Sequence, residues 1–143
     1  MAKAKNKTQP TKMSVLSYIN TIEDVVVKKK AKILLGIFKE ATGTKPVMWG
    51  NIIGFGSYHY KYESGREGDM IATGFALRKS GPVIYILPGY NNYSKMLNGL
   101  GIKYKLGKSC LYLKNLDGLN EAMLKKLIKT GLKDLKKIYP VIL

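Results

Sequence analysis

Two short segments hold the residues best placed to do chemistry: S-G-R-E-G-D at 64–69 and T-G-F-A-L-R-K at 73–79. Strand alternation from Thr73 puts Phe75 and Leu77 on one face and Gly74, Ala76 and Arg78 on the other. Small residues beside an arginine leave floor space in front of its guanidinium. Such a floor suits a carboxylate, phosphate or carbonyl held by paired N–H donors. Trp49, Tyr58, Tyr60 and Tyr85 supply aromatic walls. The expected binding set is therefore Trp49, Tyr58, Tyr60, Arg66, Asp69 and Arg78, and the expected ligand is a small molecule with an anionic or carbonyl group. The competing reading is internal, with Arg66 or Arg78 paired to Glu67 or Asp69 to brace a hairpin.

Other chemistries fit less of the chain. Glu63, Glu67 and Asp69 lie around Gly65 and offer oxygen ligands to a hard cation. One His and one Cys cannot supply a dedicated zinc site. L-G-K-S-C at 106–110 resembles part of a phosphate loop, but the spacing from Gly101 to Gly107 is one residue too long. The run C-L-Y-L at 110–113 reads as strand, so no helix N-terminus faces a phosphate. Cys110 and His59 have no third group to orient them as a nucleophile and base, and a lone Cys flanked by Leu reads as a small hydrophobe. No base, nucleophile and oxyanion donors are jointly identifiable, so the reading leans away from an enzyme.

The elements that must position these residues are set by periodicity and turn residues. Residues 1–12 are polar and basic and read as a disordered tail ahead of one domain at 13–143. Ser14 caps a short helix over 15–20, and Thr21 with Asp24 caps a second over 23–42, which Gly43 ends. The segment 52–56 is punctuated by glycine. Over 57–62 the pattern alternates, with Tyr58, Tyr60 and Tyr62 on one face and His59 and Lys61 on the other. Residues 66–69 read as loop, 70–79 and 83–87 as a hairpin, 91–98 as a short helix, 101–107 as loop or edge, and 109–114 as strand. A final amphipathic helix spans 116–138, with Leu119, Met123, Leu127, Ile128, Leu135 and Ile138 on its apolar side. Consecutive short strands leave no room for crossover helices. The fold class is therefore α+β, a mainly antiparallel sheet with the N-terminal helices and the C-terminal helix packed on one face.

Composition bounds the rest. A chain of 143 residues with 45% hydrophobic content builds one ordinary core. Its apolar runs are short, and no apolar stretch comes after the basic N-terminus. Membrane insertion and secretion are not expected. A single Cys fits a reducing cytoplasm. The net charge of +16 points to nucleic acid as a non-specific partner through a Lys-rich surface. Yet 23 of the 25 basic residues are Lys, which favours a solvated surface over base readout. The oligomeric state is left open.

Taken in order, W-G-N-I-I-G-F-G-S-Y-x-Y, S-G-R-E-G-D, G-F-A-L-R-K, the Y-I-L strand, L-G-I-K-Y-K-L-G-K-S-C-L-Y-L-K and the terminal Leu/Lys helix resemble the YdhG-like bacterial domains, long classed as a domain of unknown function. The resemblance covers about 13–137. It implies a small cytoplasmic α+β domain. It also implies an iron role, since one member is regarded as an iron chaperone likened to frataxin. Here that role falls to Glu63, Glu67 and Asp69. The resemblance brings no catalytic residues with it.

Overall fold

In a computed structural model, residues 14–78, 81–86, 93–107, 110–114 and 116–143 are described. The expected tail at 1–12 lies outside them. Helix α1 (Val15–Asn20) is capped by Ser14, whose hydroxyl accepts from Ser17 N. Helix α2 (Val25–Thr42) starts two residues later than the sequence pattern predicts. The Asp24 carboxylate, rather than Thr21, takes the cap and accepts from Val26 N at 2.9 Å and Val27 N at 3.3 Å. Gly43 ends the helix at φ 67°, a left-handed conformation that glycine adopts without penalty.

Strands β1 (Pro46–Trp49), β2 (Ile52–Lys61), β3 (Glu67–Arg78), β4 (Gly81–Ile86), β5 (Tyr104–Leu106) and β6 (Cys110–Leu113) form one antiparallel sheet in the order β1-β2-β3-β4-β6-β5. Strand β7 (Val141–Ile142) adds to the outer edge of β2 beyond the end of β1. Helix α3 (Ser94–Asn98) comes after β4, and helix α4 (Glu121–Ile138) precedes β7. The α+β class holds: α2 and α4 pack side by side on one face of the sheet.

Several boundaries differ from the sequence reading. Residues 67–69 are strand rather than loop, because Lys61, Tyr60 and His59 of β2 pair with Glu67, Gly68 and Asp69. Residues 46–49 form a strand the glycine-rich pattern concealed. Asn120 caps α4 by accepting from Met123 N, so the helix begins at Glu121 rather than 116. Its buried side includes Leu124, Gly131 and Leu132 with Leu127, Ile128 and Leu135, whereas Ile138 is 59% exposed. The predicted helix start at 91–92 and strand ends at 79, 87 and 109 lie outside the described residues.

All three phenylalanines meet in the core. Phe38 of α2 stacks on Phe55 at 5.2 Å and contacts Phe75 at 5.3 Å between ring centroids. On the opposite sheet face Trp49, Ile52, Ile71 and Ala76 form a smaller cluster, with Met70 and Tyr85 packed against it. The side of β2 facing the helices changes at Gly56. Ile53 and Phe55 are in the main core, and so is the ring side of Tyr58, three residues after Phe55. Gly56 sits at φ 72°, and a side chain there would meet Leu143 and the Ile142 carbonyl of the C-terminal strand.

Candidate functional site

The six residues of the expected binding set fall on different surfaces. Tyr58 and Tyr60 lie on the face of β2 that carries an aromatic row. Ring centroids step 5.2 Å from Tyr139 to Tyr58, 6.2 Å to Tyr60 and 5.0 Å to Tyr62. Tyr60 is buried, and burial, followed by the neighbouring Tyr62, Tyr139 and Tyr60, pushes the Tyr58 phenol up to about 12. This row packs mainly on itself. Asp69 projects on the other face, where His59 Nδ1 lies 2.9 Å from Asp69 Oδ1 and Nε2 lies 3.6 Å from Glu67 Oε2. Trp49 is buried over Gly54 in the smaller cluster. Arg66 sits exposed in the β2–β3 turn. Arg78 ends β3 on the sheet face away from the helices.

A single pocket of Trp49, Tyr58, Tyr60, Arg66, Asp69 and Arg78 is therefore not assembled. The alternation holds over 58–62 and 73–78 but breaks between these stretches and the rest of β2 and β3, and the pattern does not show which faces are covered. His59 lies against both Glu67 and Asp69. The side chains of Glu63, Glu67 and Asp69 do not form a cation site. Among the described residues no group of three or more His, Cys, Asp or Glu is placed to hold a metal ion.

Arg78 has a different neighbourhood. Its Nη2 donates to Tyr85 Oη at 3.3 Å, and that contact holds the guanidinium above its ordinary value. Tyr85 pairs with Cys110, and Val83 with Tyr112, so β4 and β6 set Tyr85, Cys110 and Tyr112 on Arg78's face. The neighbouring Cys110 thiol raises the Tyr112 phenol, and the positive charge of Arg78 opposes the rise. A small hollow of about 70 Å³ lies beside Arg78, bordered by Lys30, Pro82 and Lys114. It has room for a water or two.

The larger concavity is next to it. A cavity of about 660 Å³ opens where β5 meets β6, with Lys114 bordering both spaces. Ile102, Tyr104, Tyr112 and Leu113 supply apolar and aromatic walls, and Lys103, Lys105 and Lys114 supply charge. The register explains this mixture. Tyr104 pairs with Leu113 on the core side, and Lys105 pairs with Tyr112 on the outer side. An edge strand presents both of its faces to a space lying alongside it. No acidic side chain is among the described lining residues, so the cavity is electropositive as well as apolar. Sequence reasoning passes over these residues because 101–107 read as loop or edge. The available signal is the K-Y-K alternation at 103–105 facing Y-L-K at 112–114.

No helix among the described residues is long and apolar enough to cross a membrane. No family model, curated protein or solved structure matches the chain.

Proposed function

We propose that this protein binds a small amphipathic anion, an aromatic or aliphatic body bearing a carboxylate, phosphate or sulfonate, in the cavity between β5 and β6. The observation that carries this reading is the pairing of four apolar walls with three lysines around about 660 Å³. That volume lies within the usual span for small-molecule sites, and such sites combine apolar lining with a few polar anchors. Tyr104 and Tyr112 cover the body of the ligand, while Lys103, Lys105 and Lys114 attract its charge. The charge of Arg78, which acts on Tyr112 through space, adds to the positive field. The expected Arg and aromatic chemistry is kept, but at a different place in the sheet. The YdhG-like affiliation and a cytoplasmic location remain part of this proposal. They rest on the motif order, with its implied cytoplasmic domain, and on the single Cys.

The test uses 8-anilinonaphthalene-1-sulfonate, an aromatic anion that fluoresces in apolar sites, and its uncharged parent N-phenyl-1-naphthylamine. The sulfonate should bind more tightly than the neutral compound. Lys103→Gln/Lys105→Gln/Lys114→Gln should weaken it by about 100-fold, taking roughly 1 kcal/mol per exposed lysine. Replacing the exposed Lys45, Lys61 and Lys95 instead should leave binding within about 3-fold, since distant surface charges are screened. Equal losses in the two triple variants would remove the site.

A further inference from the structure

The helix layer carries a second positive feature, remote in sequence from the cavity. Helix α4 holds six lysines, and they divide into two kinds. Lys125 is tied to Glu40 of α2, and Lys137 lies 3.5 Å from Asp134. Lys126, Lys129, Lys133 and Lys136 are exposed and have no carboxylate within 4 Å among the described residues. Their spacing of three, four and three residues places them in one stripe along the helix. At 1.5 Å per residue the stripe is about 15 Å long.

The acids that might neutralise this stripe are otherwise engaged. Glu40 is held by Lys125, which keeps its carboxyl below the usual range. Asp134 accepts from the buried Tyr93 hydroxyl at 2.6 Å. Helix α2, packed alongside, adds exposed Lys29, Lys32 and Lys39 to the layer. Lys129 and Lys133 feel Glu40 and Asp134 only through space, so the stripe is a row of charge without direct ion pairs on a rigid element.

We infer that the Lys126–Lys129–Lys133–Lys136 stripe of α4 is a docking surface for the phosphate backbone of double-stranded nucleic acid. A row of about 15 Å spans roughly four phosphates at the 3.4 Å axial rise of one strand. The chemistry favours a duplex over an anionic bilayer. A helix that lies in a membrane interface buries an apolar face in the lipid. The apolar face of α4, Leu124, Leu127, Ile128, Leu132 and Leu135, is already buried in the core. Only Ile138, at the helix end, is an exposed large apolar residue of this element. Both arginines of the chain lie outside α4, which also has no aromatic residue, so the stripe reads charge and not base sequence.

The test is fluorescence anisotropy of a labelled 24-base-pair duplex, titrated with the full chain between 50 and 200 mM salt. Four phosphate contacts predict a log–log salt slope of about −3.6, or roughly 150-fold weaker binding over that interval. Two duplexes of unrelated sequence should bind alike. Lys126→Gln/Lys129→Gln/Lys133→Gln should flatten the slope by about 2.7. The charge-matched Lys45→Gln/Lys61→Gln/Lys95→Gln should leave it nearly unchanged, and circular dichroism checks that both variants are folded. Equal effects of the two triples would reduce the stripe to diffuse surface charge and overturn the inference. Binding to vesicles containing phosphatidylserine, without binding to the duplex, would overturn it in favour of a membrane surface. Neither result touches the anion cavity, whose lysines are unchanged in both variants.

Discussion

Alanine at two helical glycines should act in opposite directions. Gly36 is in the interior of α2, exposed, with no heavy atom within 4 Å of where a Cβ would sit. Gly36→Ala therefore gains helix propensity, about 1 kcal/mol, with nothing to oppose it. Gly131 is in the interior of α4 and gains the same propensity. Its added Cβ, however, would lie 2.7 Å from Ile86 Cγ2 on β4. That is about 1 Å inside an ordinary carbon–carbon contact. Ile86 is 1% exposed, and the clashing methyl is attached directly to its Cβ, so it cannot swing away as a long side chain would. Relief requires α4 to rise from the sheet, an overpacking cost of about 1–3 kcal/mol.

Because the propensity gain is common to both, the difference between the variants isolates this packing cost. Urea unfolding followed by far-ultraviolet circular dichroism should show Gly36→Ala stabilised by about 1 kcal/mol, or roughly 3 °C in Tm. Gly131→Ala should fall about 1–3 kcal/mol below Gly36→Ala. Adding Ile86→Ala removes the methyl that clashes, so the Gly131→Ala/Ile86→Ala double variant should be less destabilised than the sum of its singles by a similar amount. Equal stabilisation at both glycines would refute the close approach of α4 to β4.

Further expectations concern the sheet and one buried pair. An added Cβ at Gly54 would lie 2.8 Å from Trp49 Cδ1 and 2.5 Å from Ile71 Cγ2, so Gly54→Ala should displace the only tryptophan, shift its emission to the red and destabilise by about 1–3 kcal/mol. At Gly74 the obstacle is backbone, the Ile53 carbonyl across β2, so Gly74→Ala should cost about 3 kcal/mol, at the top of the overpacking range, and a cost under about 1 would refute the contact. The Tyr93 hydroxyl holds the Asp134 carboxyl below its ordinary value, while burial first and Asp134 second hold the Tyr93 phenol above its own. The first contribution is complete above about pH 4 and lost as pH falls further; the second is present below about pH 10 and lost above the raised folded value. Tyr93→Phe should lower mid-range stability by about 1 kcal/mol and weaken both dependences, as read from urea midpoints between pH 3 and 11.

What the sequence made legible was whatever depends on near neighbours. Ser14, Gly43, the alternation of Tyr58, His59 and Tyr60, and the split of Phe75 and Leu77 from Ala76 and Arg78 are all local, and all are seen in the fold. What it hid depends on partners far along the chain. Residues 46–49 lack a strand pattern of their own and become strand because 52–55 pair with them. Residues 67–69 look like a polar loop, yet His59, Tyr60 and Lys61 extend the ladder through them. The candidate site failed for the same reason. Arg66 and Arg78 are twelve residues apart at opposite ends of β3, a separation of roughly 40 Å at 3.3 Å per residue, so no common floor was available to them. The cavity instead gathers residues from two strands joined by the β5–β6 register, and neither strand alone looks like a site. A binding surface on an antiparallel sheet is written across strands, and only the register decides which lysines and tyrosines come to share it.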